Sequence, residues 1–118
     1  MQDFRKLKVW DKAHQLTLRV YNQTQTFPKE ELFGLTSQLR RAVSSIPTNI
    51  AEGAGRVSSA DFARFVQIAM SSASDVEYLL LLCSELEFYP RNEYKNLNKE
   101  IIEIKKMLTA LIKKTESR

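Results

Sequence analysis

The sequence predicts an all-α fold, an antiparallel up-down-up-down four-helix bundle, and three observations predict it. Four long segments space their apolar residues three and four apart, the repeat of one helix face. Glycine and proline occur only three times each in 118 residues, and β-branched runs are few. The connections between segments are short, which places consecutive helices side by side. A hydrophobic content of 43% with 27% charged residues is globular, and 118 residues make one domain, residues 1–118, able to bury a core without disulfide or metal.

Residues 1–7 form a short basic arm, docked through Phe4 and Leu7. The first helix runs from about Val9 to Gln25, with Val9, Ala13, Leu16 and Val20 as its seam. Trp10 and Tyr21 lie off that seam and offer a second contact surface. Phe27-Pro28 ends the helix, because the residue before proline is pushed out of the helical region. Pro28-Lys29-Glu30-Glu31 then forms a turn containing one helical turn, which leads into the stretch that organises the chain, Leu35 to Arg56.

Leu35, Leu39, Ala42, Val43, Ile46 and Ile50 share one side of that helix. Gln38, Arg41, Ser45, Asn49, Glu52 and Arg56 form a polar arc, and Ser44, Pro47 and Ala51 a strip of small or prolyl residues between. Pro47 removes a backbone hydrogen bond, at about 3 kcal/mol in a plain helix interior. The apolar spacing nevertheless runs through it, which predicts one bent helix with Ser44 and Ser45 satisfying freed carbonyls. Gly53 and Gly55 are expected to make a left-handed exit.

Ser58-Ser59-Ala60-Asp61 resembles a capping box that opens the third helix. Its stripe is Phe62, Phe65/Val66, Ala69, Ala73, Val76, Leu80 and Cys83. The small residues from Ala69 to Ser74 mark where the second helix crosses it. Leu79 to Leu82 is apolar around a whole turn, and a bundle helix buries only one side. Leu79, Leu81 and Leu82 are therefore expected at a subunit interface. The fourth helix follows Pro90, with Asn92 as its cap and Glu93 in its first turn. It carries Leu97, Ile101, Ile104, Leu108 and Leu111, widened by Ile102 and Ile112.

Charge is segregated along the chain. The formal net charge is +4, but residues 1–20 carry five Lys/Arg against two Asp/Glu, and residues 91–118 eight against four. Residues 57–90 carry Arg64 alone against five acids. Such a distribution suits solvated faces, complementary subunit patches or a polyanion-binding surface. Arg5, Lys6, Lys8, Lys12, Lys105, Lys106, Lys113 and Lys114 are the phosphate-contact candidates, being clustered and mobile. The polar arc of Arg41, Ser45, Asn49, Glu52 and Arg56 has three readings: a solvated face, a polar network at a subunit interface, or direct nucleic-acid contact involving Arg40, Arg41 and Arg56. Glu52 and Arg56 are spaced for an intrahelical ion pair.

Catalytic chemistry finds little to work with. His14 is the only histidine and Cys83 the only cysteine, so no His/Cys metal set forms within one subunit. Cys83 lies in the core stripe as a packed thiol. Gly53-Ala54-Gly55 ends a helix instead of following a strand, so it is no phosphate loop. No serine has a partnered base. The chain is expected to be no enzyme and to need no cofactor. With no apolar signal core and no uninterrupted apolar run near ~18 residues, no membrane span is expected, and the protein is expected in the cytoplasm. No helix-turn-helix or stacking platform is visible, so any nucleic-acid binding should tolerate sequence.

The run SQLRRAVSSIPTNIAEGAGR, preceded by FPKEELFGLT and VWDKAHQL, resembles the 23S rRNA-intervening sequence proteins, a four-helix-bundle family often labelled S23 ribosomal proteins. The likeness continues through SSADFARFVQIAMSSASDVEYLLLL and covers essentially the whole chain. It implies an antiparallel bundle assembling as a homopentameric barrel, whose five copies would carry about +20. The family includes the accessory variability protein of diversity-generating retroelements, which binds nucleic acid and a reverse transcriptase. That likeness makes RNA or DNA, and a protein such as a reverse transcriptase, the expected partners, met through basic residues of the assembled surface. The expected function is a non-enzymatic accessory protein binding nucleic acid non-specifically, with a protein–protein scaffold as the alternative.

Overall fold

The computed structural model describes residues 2–116; Met1, Ser117 and Arg118, the last counted above among the basic residues, lie outside the described residues. The described residues form four helices and no strand: α1 (Lys8–Gln23), α2 (Leu35–Ala54), α3 (Ser59–Glu85) and α4 (Arg91–Glu116). Short 3-10 turns stand at Phe4–Lys6, Thr24–Thr26 and Lys29–Glu31. α2 with α3 and α3 with α4 share the broadest contacts, within a body of 46 × 23 × 20 Å.

α1 buries Val9, Ala13, Leu16 and Val20, the whole expected seam. It stops two residues early, because Pro28 holds Phe27 extended (φ −66°, ψ 156°) and the chain tightens into a 3-10 turn first. Phe27 then seats its ring between Phe88 at 5.4 Å and Tyr89 at 5.0 Å, closing this end of the core.

α2 is continuous through Pro47. With no N–H at position 47, the Val43 carbonyl loses its intrahelical donor. Thr17 of α1 supplies the replacement: its Oγ1 lies 3.2 Å from the Val43 oxygen and 2.8 Å from the Ala13 oxygen. This corrects the expectation for the two serines. Ser44 reaches only the Arg41 carbonyl, at 3.3 Å, and Ser45 accepts bonds from other side chains.

Neither Gly53 nor Gly55 makes a left-handed exit. No described glycine has positive φ, and Gly55 sits at φ −80°, ψ −5°. Gly53 is required for proximity instead. A Cβ there would lie 2.8 Å from Phe65 Cβ and 3.2 Å from a Phe62 ring carbon. The small midsection of α3 also meets α2, as its composition predicts, with Ser72 Oγ donating to Ser45 Oγ at 2.9 Å.

α3 opens as expected, Ser58 Oγ accepting from the Asp61 N–H at 3.1 Å. It closes with a Schellman motif: the Phe88 N–H bonds the Cys83 carbonyl at 2.8 Å and the Glu87 N–H the Ser84 carbonyl at 2.9 Å. The motif needs a left-handed residue, and Glu87 occupies it at φ 65°. α4 starts one residue before the expected cap. Pro90 O takes the Tyr94 N–H at 3.0 Å, so Asn92 is already inside the first turn.

The core is one cluster centred on Leu39, Ile46, Ile50, Leu80, Leu97, Ile101, Ile104 and Leu108. Its depth decides the fate of the leucine quartet. Leu79 (4% exposed) and Leu80 are buried in the chain's own core, and Leu82 packs partly against it. The interface expected at Leu79 is corrected by that burial, and Leu81, at 40% exposed, is the leucine left facing outward. By length and a mean hydropathy of 1.2 over its most apolar window, α3 could cross a membrane. Its apolar stripe, Phe62 to Cys83, packs into this core.

Candidate functional surfaces

The basic arm is tied down by a bond from the Gln2 N–H to the Ala54 carbonyl, 2.8 Å. Phe4 meets Trp10 edge-on at 4.9 Å, and Trp10 stacks on His14 at 4.8 Å, 12° from parallel. Thus the single histidine is a packing partner of the tryptophan. Arg5 folds back over the Phe4 ring at 4.6 Å and lies 3.6 Å from Asp3.

The eight candidate phosphate contacts separate into two groups. Lys12 Nζ pairs with Glu100 at 2.9 Å, joining α1 to α4, and Lys105 Nζ pairs with Glu77 at 2.8 Å, joining α4 to α3. Both pairs are about one-third exposed, and they make Lys12 and Lys105 inter-helix ties. Arg5 makes only a looser surface contact with Asp3, at 3.6 Å and 71% exposed, and ties no helices together. Lys6, Lys8, Lys106 and Lys113 are exposed, with no ion pair among the described residues. Lys114 is exposed too and lines a cleft of about 450 Å³ with Arg56, Ser58 and Phe62, where the α2–α3 junction meets the arm. The structure does not gather all eight into one patch. Lys8 and Lys12 instead line a groove alongside Asp11, Arg19, Glu100 and Glu103, where the charges alternate.

The polar arc of α2 also divides. Ser45 Oγ accepts from Asn49 Nδ2 at 3.0 Å and from Ser72 Oγ at 2.9 Å, so these residues lock α2 to α3 within one chain. Glu52 and Arg56 pair at 2.8 Å on the surface, as their spacing predicts. Arg56 further lies over one side of the Phe65 contacts, at 4.8 Å from the ring centroid, with Arg64 at 4.7 Å. Arg41 is exposed beside a groove of about 390 Å³ lined by Gln38, Asp75, Tyr78 and Leu79. Arg40, in contrast, is held by Thr24 Oγ1 at 2.8 Å and stands over the Tyr21 ring at 5.0 Å.

No group of three or more His, Cys, Asp and Glu is placed to hold a metal among the described residues. Cys83 is fully buried, and burial, with the Glu31 carboxylate adding to it, pushes its thiol up to about 11. At neutral pH it is a protonated, inert core side chain. Tyr89 is raised in the same direction, first by burial, and its hydroxyl has no hydrogen-bond partner.

Two basic residues escaped the sequence reading. Lys95 and Lys99 are exposed on α4 and stand clear of every described ion pair. Their signal was available: they share a helical face with Lys106 and Lys113, opposite the buried Leu97, Ile101, Ile104 and Leu108. Counting charges by segment hid it, because it weighed Lys105 and Lys106 alike though they point to different neighbours.

The model of the family described as 23S rRNA-intervening sequence protein matches residues 5–110. Among solved structures, a protein of unknown function from the S23 ribosomal protein family of Bacteroides thetaiotaomicron is similar at 33% identity, with a TM-score of 0.82. The likeness covers 89% of this chain and 95% of that one. No curated protein matches the chain significantly.

Proposed function

This chain belongs to the family of 23S rRNA-intervening sequence proteins, and on that premise we propose that it is a non-enzymatic accessory protein of the cytoplasm that binds RNA or DNA non-specifically through its basic surface. It does so as a single antiparallel bundle domain assembled into a homopentamer. The observation that carries the nucleic-acid reading is the set of exposed lysines without carboxylate partners, Lys6, Lys8, Lys106 and Lys113, joined by Lys95 and Lys99. Mobile ammonium groups on a surface are what sequence-tolerant phosphate contact requires.

The antiparallel arrangement is supported by the order of contacts. Lys12 pairs with Glu100, and Arg19, seven residues later, pairs with Glu93, seven residues earlier. Assembly is supported by Tyr78 (59% exposed) and Leu81, which border grooves on α3. A non-enzymatic role is supported by the fates of the nucleophile and base candidates, Cys83 buried and His14 stacked on Trp10.

A second reading, a scaffold for a protein such as a reverse transcriptase, is favoured by the exposure of Phe33 (93%) and Val57 (87%). Solution mass with and without duplex RNA, together with affinity measured across a salt series, separates the two. The nucleic-acid reading expects a complex whose affinity falls steeply between 50 and 200 mM salt, by roughly a factor of ten for every two phosphates contacted. Affinity that is absent, or flat with salt, refutes it. Retained binding of a protein partner would then favour the scaffold.

A further inference from the structure

The charges of α4 are sorted by neighbour. Glu93 and Glu100 face α1, Glu93 lying 3.8 Å from Arg19 and Glu100 2.9 Å from Lys12. Glu103 lines the α1 groove with Lys8. On the other flank, Lys105 is drawn to Glu77 of α3. Between these flanks stand Lys95, Lys99, Lys106 and Lys113, all exposed and free of ion pairs among the described residues.

At ~100° per residue the four lysines fall within an arc of about 40°, and at ~1.5 Å rise they span roughly 27 Å along the helix. Ile102, Thr109 and Ala110 fill the gaps in the row. No aromatic side chain stands on it, which removes the stacking surface that single-stranded bases use. Ile102, at 36% exposed, is its only large apolar residue, so it lacks the buried anchor on which protein interfaces depend. What remains is a straight line of flexible positive points, complementary to a regular polyanion and indifferent to base identity.

We propose that the outward face of α4 is a track for the phosphodiester backbone of double-stranded nucleic acid, with Lys95, Lys99, Lys106 and Lys113 as its phosphate contacts. The inference rests on the nucleic-acid reading above and narrows it. The Lys12–Glu100 pair of the α1 groove and the Lys105–Glu77 tie lie outside the track, because their cations are already neutralised.

The test uses the full-length protein with a 20-base-pair RNA duplex of arbitrary sequence and, separately, one of its single strands, binding being followed by fluorescence anisotropy from 50 to 200 mM KCl. One variant carries Lys95→Gln, Lys99→Gln, Lys106→Gln and Lys113→Gln. An off-track control carries Lys29→Gln and Arg64→Gln, two exposed cations on other elements. Far-UV circular dichroism and solution mass confirm that both keep the wild-type fold and assembly. The track variant is expected to lose roughly 3.6 from the magnitude of the log K against log salt slope per bound protomer, about 0.9 per contact. The off-track control is expected to keep most of the wild-type slope. A wild-type protein that does not bind overturns the nucleic-acid reading, and the track with it. Salt-dependent wild-type binding that the track variant retains, or that the off-track control loses equally, overturns the track alone. So does binding confined to a single-stranded probe.

Discussion

Replacing Thr17 by valine tests how a proline is carried inside the central helix. The exchange keeps the side chain's volume and branching and removes the hydroxyl that lies 3.2 Å from the Val43 carbonyl. Pro47 cannot donate to that carbonyl, and Val43 is fully buried, so the oxygen would be left without its replacement partner. An orphaned buried acceptor costs about 1–3 kcal/mol. Because the hydroxyl is shared with the Ala13 carbonyl at 2.8 Å, the low end applies, and Thr17→Val should destabilise by about 1–1.5 kcal/mol. In a Pro47→Ala background the new N–H at position 47 bonds Val43 within the helix. There Thr17→Val should cost no more than about 0.5 kcal/mol, whatever Pro47→Ala does by itself. Urea unfolding of the four proteins at one protomer concentration gives the coupling energy directly. Equal costs in both backgrounds, with coupling under about 0.3 kcal/mol, would refute the claim that Thr17 stands in for the missing donor.

Two glycines on the same helix end should respond with opposite sign. Gly53→Ala gains about 1 kcal/mol of helix propensity, but its Cβ would sit 2.8 Å from Phe65 Cβ, an atom no rotamer change can move. Overpacking at about 1–3 kcal/mol should win, giving a lower urea midpoint. Gly55→Ala places its Cβ no closer than 3.5 Å to other atoms, and stability should rise by a few tenths to about 1 kcal/mol. A stabilising Gly53→Ala would show that α2 and α3 do not approach closely there. At the far end of α3, Glu87→Gly should stabilise by about 0.5–1 kcal/mol, because glycine relieves a side chain held at φ 65°. A thermal melt showing destabilisation would mean that the Glu87 side chain holds something the backbone does not.

Fold class was legible because burial in a helical bundle follows a local repeat. The central stripes of α1, α3 and α4 could be read from spacing alone, and they are buried, but Ile102, expected to widen the α4 stripe, faces outward because it lies on the side opposite Leu97, Ile101 and Leu108. The start of α3 was legible for a similar reason, since Ser58 and Asp61 complete their contact within four residues. Helix ends were misplaced by a residue or two for local reasons, but the readings of packing that failed involved a partner distant in the chain. Gly53 looked like a helix exit until Phe65 was found against it, and Ser44 looked like the remedy for Pro47 until Thr17 arrived from α1. Leu79 looked surplus to one bundle, yet the core has room for it.

The same division runs through the candidate surface. Sequence by itself determined that the protein is helical and that its ends are basic. Tertiary structure alone decided which lysines are available: Lys12 and Lys105 are matched to Glu100 and Glu77 across helix boundaries, whereas Lys95 and Lys99 are left in the open. Helix periodicity is encoded over a few residues and survives in the linear text. Charge neutralisation depends on what stands within 4 Å in space, and only packing sets that distance.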